Sequence, residues 1–315
     1  MRFPPPGQLI DVGGHRLHLS ATGQGPVVVF DAALGGSSIS WTLVTPLLTP
    51  FARACVYDRA GFAWSDAGPM PRTAGRIADE LRVLLDRSGE KPPYVLVGHS
   101  FGGLVMRIFA KRYPDVSAGL VLVDPAQPED WLNPGGRELE RLRRGALLCR
   151  FGARAARVGL ARVVSALVGR GAITPAWSIA RWFTGGELRA DDQWILGPML
   201  KLPLEARAPL RSFWTERRFF EALGSQIETM RTSSAETLEA AVGGYGDLPL
   251  VTITQANPGE HRMRQQTALA ALSTRGRHVI AEKSGHWIPL DEPEVIAQAI
   301  RDVLGESQSP KVRGS

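Results

Sequence analysis

The run Tyr94-Val95-Leu96-Val97 ends in Gly98-His99-Ser100-Phe101-Gly102-Gly103 and passes at once into Leu104-Val105-Met106-Arg107-Ile108-Phe109-Ala110. Four residues suited to a buried strand therefore meet a helical run across a turn with no loop in it. A serine on so tight a strand-to-helix turn has crowded φ/ψ angles. Gly98 and Gly102 stand where a Cβ would collide with neighbouring backbone. The turn lifts the Ser100 hydroxyl above the edge of a sheet and sets the start of a helix beneath it.

Strand before and helix after are the context in which Gly-x-Ser-x-Gly reads as a nucleophile elbow. On these residues the chain resembles the α/β-hydrolase family, and the resemblance covers nearly the whole chain outside one central stretch. It implies an α/β fold, a mostly parallel doubly wound sheet with an inserted helical cap, and hydrolysis through a serine.

The order of elements agrees. Gln8–Val12 and Arg16–Ser20 around Gly13-Gly14 predict a hairpin, and its His15 and His18 are read as surface or edge residues. Pro26–Phe30 is a short continuous apolar run, as expected of a strand covered on both faces. Trp41–Phe51 reads as a helix and Ala52–Tyr57 as a strand. Thr73–Ser88 carries Ile77, Leu81, Leu84 and Leu85 at helical spacing and stops at Gly89. Gly119–Val123 is a further buried strand with Asp124 at its end. The alternation resumes with a strand at Leu248–Thr254, a helix at Arg262–Leu272, a strand at Arg277–Ile280 and a helix at Glu294–Leu304.

Between about 131 and 235 no β-like run occurs. Five of the eight tryptophans lie there, Trp131, Trp177, Trp182, Trp194 and Trp214, with Phe183, Phe213, Phe219 and Phe220 and many arginines. The resemblance makes this stretch the cap. Residues 8–130 and 236–305 are expected to form the core, with 1–7 and 306–315 as flexible termini. Most of the aromatics are expected to form the cap's own core.

The resemblance supplies the roles. Ser100 is the nucleophile, and His286, in Ser284-Gly285-His286 before Asp291-Glu292-Pro293, is its base. A serine hydroxyl is a weak nucleophile and needs such a base, itself held in one tautomer by an acid. The commonest family position for that acid, after the seventh strand, is occupied here by Asn257, which cannot carry the charge. Asp124, at the end of the sixth strand, is assigned instead, with Glu129, Asp130 and Glu260 in reserve. The other reading of Asp124 is a carboxylate capping the turn at Pro125. His99, His261 and His278 are read as structural. The oxyanion is expected to bind the backbone N–H groups of Leu34 and Phe101. The family's His-Gly-x-Gly loop is replaced by Ala32-Ala33-Leu34-Gly35, which is tolerable because the donor is backbone. Asp58 and Arg59, in a segment similar to one that packs below the family's nucleophile, are given a structural role.

The formal charge of +6 and a pI near 9.7 fit an arginine-rich surface. No nucleic-acid motif appears, and none is expected as a partner. The two cysteines, Cys55 and Cys149, have no metal-ligand spacing, so neither metal nor cofactor is expected. No apolar stretch reaches the ~20 residues needed to span a bilayer. A cytoplasmic enzyme follows as the expectation, with contact between the arginine-rich stretch Leu147–Val168 and a membrane as a secondary reading. The expected activity is cleavage of a small, apolar carboxylic ester through an acyl-enzyme. Perhydrolase, cofactor-free haloperoxidase and C–C hydrolase chemistry use the same triad. Epoxide hydrolase and dehalogenase chemistry are disfavoured because the resembled members attack with Asp. A non-catalytic ligand-binding module is the reading from another class.

Overall fold

The computed structural model describes residues 3–169 and 201–308. Its frame is one eight-stranded sheet: β1 (Gln8–Asp11), β2 (Arg16–Thr22), β3 (Val27–Asp31), β4 (Arg53–Tyr57), β5 (Tyr94–His99), β6 (Ser117–Val123), β7 (Leu250–Gln255) and β8 (Gly276–Ala281). The spatial order is β1-β2-β4-β3-β5-β6-β7-β8. β1 and β2 pair antiparallel, as do β2 and β4, and every later pairing is parallel.

Helices on both faces follow from the period-two pattern of apolar residues. Val27, Val29, Leu96, Leu120 and Leu122 face a core shared with α2 (Ala74–Ser88) and α3 (Phe101–Arg112). Val28, Phe30, Val95, Val97, Val121 and Val123 face the other core, closed by α12 (Pro293–Gln308) through Ile296, Ile300 and Val303. Complete burial of a Val or Leu stabilises by roughly 1.5–3 kcal/mol, so these two layers hold the sheet. Short α1 (Thr45–Leu48) and α11 (Ile288–Asp291) finish the second face. α10 (Gly259–Ala270) links β7 to β8.

Between β6 and β7 the described regular elements are all helices: α4 (Pro128–Leu132), α5 (Gly136–Arg157), α6 (Leu160–Gly169), α7 (Leu204–Phe213), α8 (Arg217–Glu228) and α9 (Met230–Ala241). Trp177, Trp182, Phe183 and Trp194 lie outside the described residues. α9 runs unbroken across residue 235, and its Met230 belongs to the first core, so the expected border of the insertion falls inside a helix.

Several local expectations are corrected. Trp41–Phe51 is not one helix. A 3-10 turn, Ser38–Trp41, precedes α1, which starts around Pro46 and ends before Pro50. The two prolines lack N–H groups, so no helix can run through them at full hydrogen bonding. α12 continues to Gln308 rather than stopping at 304, because Arg275 and Arg277 reach the Glu306 side chain and Arg275 the Glu306 carbonyl. The tail beyond it lies outside the described residues. The N-terminal lead-in is anchored where Trp64 Nε1 donates to the Phe3 carbonyl at 3.1 Å. His15 and His18 are buried, not surface residues. β2 pairs with β4 as well as β1, and His18 Nδ1 lies 2.8 Å from Asp58 Oδ2 in a fully buried pair.

Candidate active site

Parallel strands in register bring three C-terminal ends to one rim. Asp31 of β3 pairs with Gly98 of β5, and His99 of β5 with Val123 of β6. The next residues are the Ala32–Leu34 loop, Ser100 and Asp124. Ligands and catalytic groups collect at this edge of open α/β sheets.

Ser100 sits at φ 52°, ψ −115°, strained for a residue with a side chain. The strain is held by packing. A Cβ on Gly98 would lie 2.5 Å from the Gly102 carbonyl oxygen, and one on Gly102 would lie 2.4 Å from that of Asp31. The Ser100 N–H donates to the Val123 carbonyl at 3.0 Å, and its own carbonyl accepts from Gly103 and Ala126. The elbow is thereby tied to the end of β6.

Asp124, also at positive φ (37°), hangs its backbone N–H on the Ile253 carbonyl at 2.7 Å. Its side chain is 2% exposed. Oδ2 lies 2.6 Å from His286 Nδ1, and Oδ1 lies 3.1 Å from Arg262 Nη2. Burial is the largest influence on this carboxyl and would raise its pKa. The hydrogen bond and charge of His286, then Arg262, outweigh burial and hold it below the ordinary carboxylate range. An ionised carboxylate only accepts, so Nδ1 of His286 is the donor and Nε2 keeps a lone pair when the ring is neutral. Arg262 also donates to the Pro125 carbonyl at 2.8 Å. With its amide oxygen turned toward Arg262, buried Gln266 accepts from Arg262 Nε and Nη2 and from Gln127, each at 3.2 Å.

His286 is pinned against the elbow. His99 Nε2 lies 2.8 Å from the His286 carbonyl, so that nitrogen carries the proton, and the two rings are 4.9 Å apart. Burial first, then the neighbouring His286, pushes the His99 pKa down to about 3. His99 is therefore neutral near pH 7 and adds no like charge beside His286.

The loop after β3 is held from below by Arg59, which is buried with Asp31. Nε donates to Asp31 Oδ1 at 2.7 Å, Nη1 to the Ala33 carbonyl at 3.3 Å, and Nη2 to the Ala32 carbonyl. The guanidinium also lies 5.0 Å from the centre of the Phe101 ring. A trans peptide sets its N–H opposite its C=O. With the Ala33 carbonyl turned inward to Arg59, the Leu34 N–H faces the other way. Phe101, as first residue of α3, has an N–H without an intrahelical acceptor.

Of the reserve acids, Glu260 is exposed and faces Arg264, and Asp130 accepts from Gln265 and lies 3.5 Å from His261. Glu129 is exposed. Asn257 is exposed at φ 49°, a conformation that asparagine tolerates. His278 is bracketed by Thr254 and Thr267 inside its strand. Burial raises the pKa of Cys55 and of Cys149 to about 12, so both stay thiols. Sequence reasoning missed Arg262 and the holding of His286 by His99. Neither had a signal, since each depends on segments far apart in the chain.

α8 lies over the loop after β3: Leu223 is 3.4 Å from where a Gly35 Cβ would stand, and Leu34, like Leu142 and Leu223, packs against the buried group Ala146, Cys149 and Ile227. Phe62, Trp214, Phe219 and Phe220 form an aromatic cluster beside it. A cleft of about 900 Å³ lies at the opposite end of the strands, between Pro26, Pro93, Lys111 and Pro249, and touches none of Ser100, Asp124 or His286. Among the described residues, no three His, Cys, Asp or Glu side chains are placed to hold a metal ion. No described helix is long and apolar enough to cross a membrane.

Residues 28–299 match a profile described as the alpha/beta hydrolase family. A protein of Hormonema carpetanum named as a probable transporter is 40% identical over 128 residues, 38% of this chain and 18% of that protein. An AB hydrolase superfamily protein of Gibberella zeae is 38% identical over 90 residues, 28% of each. The chain thus spans less than a third of the length of these relatives. A thermophilic esterase from Thermogutta terrifontis superposes with a TM-score of 0.65 at 21% identity, over 94% of this chain and 95% of that one. The epoxide hydrolase CorEH does so with a TM-score of 0.64 at 15% identity, over 95% and 97%.

Proposed function

This chain belongs to the alpha/beta hydrolase family, and on that premise we propose that it is a serine hydrolase cleaving a carboxylic ester through an acyl-enzyme. The observation that carries the reading is the 2.6 Å contact between His286 and a buried Asp124, made beside the Ser100 elbow.

In the proposed mechanism Nε2 of His286 takes the Ser100 proton as Oγ attacks the ester carbonyl. Asp124 stabilises the imidazolium that forms, and the N–H groups of Leu34 and Phe101 receive the oxyanion. His286 then protonates the departing alcohol. A water, deprotonated in turn by His286, releases the acid and restores Ser100. The helices between β6 and β7 act as a cap, since α8 already rests on the oxyanion loop. Its aromatic cluster favours an apolar acyl or alcohol group. A hydroxyl at the elbow supports acyl transfer over epoxide opening, even though an epoxide hydrolase shares the fold.

The test is a burst of p-nitrophenol from a short-chain p-nitrophenyl ester, with covalent labelling by a fluorophosphonate. One label per chain, lost in Ser100→Ala with the circular dichroism unchanged, is the expected result. Full turnover in Ser100→Ala would remove the scheme, and tight ligand binding without any burst would favour the binding module.

A further inference from the structure

α5 has two unlike faces. Ala146 and Cys149 are buried on one of them, and Gly145 and Gly152 let it press on Ile227 and Phe220. The other is exposed, and at 3.6 residues per turn Arg143, Leu147, Arg150, Phe151 and Arg154 share it, with Val158 just past its end. Phe151 is 51% exposed and Val158 is 77% exposed. Leu160 and Val163 extend the surface into α6. Five of the ten large apolar side chains exposed among the described residues thus fall within one short stretch.

The charge of this stretch is of one sign. From residue 141 to residue 169 the chain has seven arginines and no aspartate or glutamate. Glu140 pairs with Arg144, and Glu228 pairs with Arg150. Among the described residues no carboxylate pairs with Arg143, Arg154, Arg157 or Arg162. The guanidinium of Arg154 lies 5.9 Å from the centre of the Phe151 ring, so cation and aromatic ring are neighbours on this face.

We propose that this face docks on the surface of an anionic phospholipid bilayer. Apolar tips that enter the acyl boundary, with guanidinium groups at headgroup level, are what an interfacial helix presents. Arginine suits this position because its stem packs along apolar surface while its head stays with phosphate. A second copy of the chain is the poorer fit, since apposing two such faces sets arginines against arginines. Nucleic acid would use the arginines but leaves Leu147, Val158, Leu160 and Val163 in water. On this surface the arginines do not form a separate polar face but alternate with the apolar tips.

The experiment is co-sedimentation of the whole chain with vesicles of phosphatidylcholine, with and without phosphatidylglycerol. Binding to the anionic vesicles alone, relieved by high salt, is expected. Phe151→Asp and the double variant Arg143→Glu/Arg154→Glu should each weaken it at least roughly ten-fold, the first by putting a carboxylate where an apolar tip enters, the second by losing two headgroup contacts. Cleavage of a soluble p-nitrophenyl ester should be unchanged, which also shows that the variants fold. Circular dichroism serves that purpose if the ester reading itself fails. No partition onto anionic vesicles, or equal partition with both lipids and with both variants, overturns the proposal. So does binding of a single-stranded RNA in place of vesicles, or self-association in sedimentation velocity that Phe151→Asp abolishes.

Discussion

Arg59 contacts three parts of the rim at once: the Asp31 carboxylate, the carbonyls of the loop before Leu34, and the ring of Phe101. Its side chain is 1% exposed, as is that of Asp31. Removing one member of so buried a pair strands the other charge, so Arg59→Met alone would test stability as much as catalysis. The double variant Asp31→Asn/Arg59→Met removes both charges and leaves the loop without its inward anchor. Its expected effect is a fall in kcat of roughly 100-fold or more, the usual cost of a lost oxyanion donor, with KM nearly constant. Steady-state kinetics on one ester checks this, and an unchanged kcat would mean that the loop holds its shape unaided. The proposed acid is tested by a comparison. Asp124→Asn keeps the shape of the side chain but cannot hold His286 in its tautomer, and about a 10,000-fold loss of kcat is expected. Glu260→Gln, at an exposed carboxylate that faces Arg264, should leave the rate within about two-fold, as a surface change usually does. The reverse ranking would move the acid to the end of β7.

The elbow is one element made of a strand end, a turn and a helix start, and its strain is shared among them. Gly102→Ala would drive a Cβ to within 2.4 Å of the Asp31 carbonyl oxygen, so β3 and α3 must part. A loss of about 1–3 kcal/mol in urea unfolding is expected from such overpacking, together with loss of fluorophosphonate labelling. A variant that labels normally would show that the close approach is not needed. This element was legible in the sequence because everything that specifies it is local: apolar strand, glycines, serine, apolar helix. β3, β5 and β6 were legible for the same reason, since strands covered on both faces read as unbroken Val and Leu. What the sequence did not disclose depends on distant partners. His18 looked like a hairpin residue because nothing nearby says that β4 and Asp58 will cover it. Arg262 is one arginine on a mostly exposed helix, and its contact with Asp124 exists only once β6 and β7 lie side by side. The helix expected over Trp41–Phe51 failed on Pro46 and Pro50, a local signal that its apolar spacing had obscured. Asp124 could be favoured from sequence only because Asn257 had vacated the commoner place.

Across the whole molecule, the buried imidazole of His99 links folding to pH. Its pKa in the folded chain is about 3, well below the ordinary 6.5, because burial penalises the cation and His286 stands beside it. Between those two values the unfolded chain binds a proton that the folded chain refuses. Stability is therefore fully present above about pH 6.5 and is lost as the pH falls toward 3, with a slope of up to about 1.4 kcal/mol per pH unit from this one group. Asp124 acts in a lower window, because its carboxyl is held below the ordinary range and stays ionised until the pH falls through that depressed value. A carboxylate whose pKa folding depresses starts to lose its contribution only as the pH falls through its unfolded value near 4, so the two sources can be told apart. Urea unfolding followed from pH 7.5 to pH 5 should show the decline already at pH 6. His99→Gln, which can still donate to the His286 carbonyl, should flatten that slope by close to one proton while leaving the stability at pH 7.5 within about 2 kcal/mol, as for other buried polar replacements. A slope identical in the two proteins would place the acid sensitivity on other groups and leave His99 as packing alone.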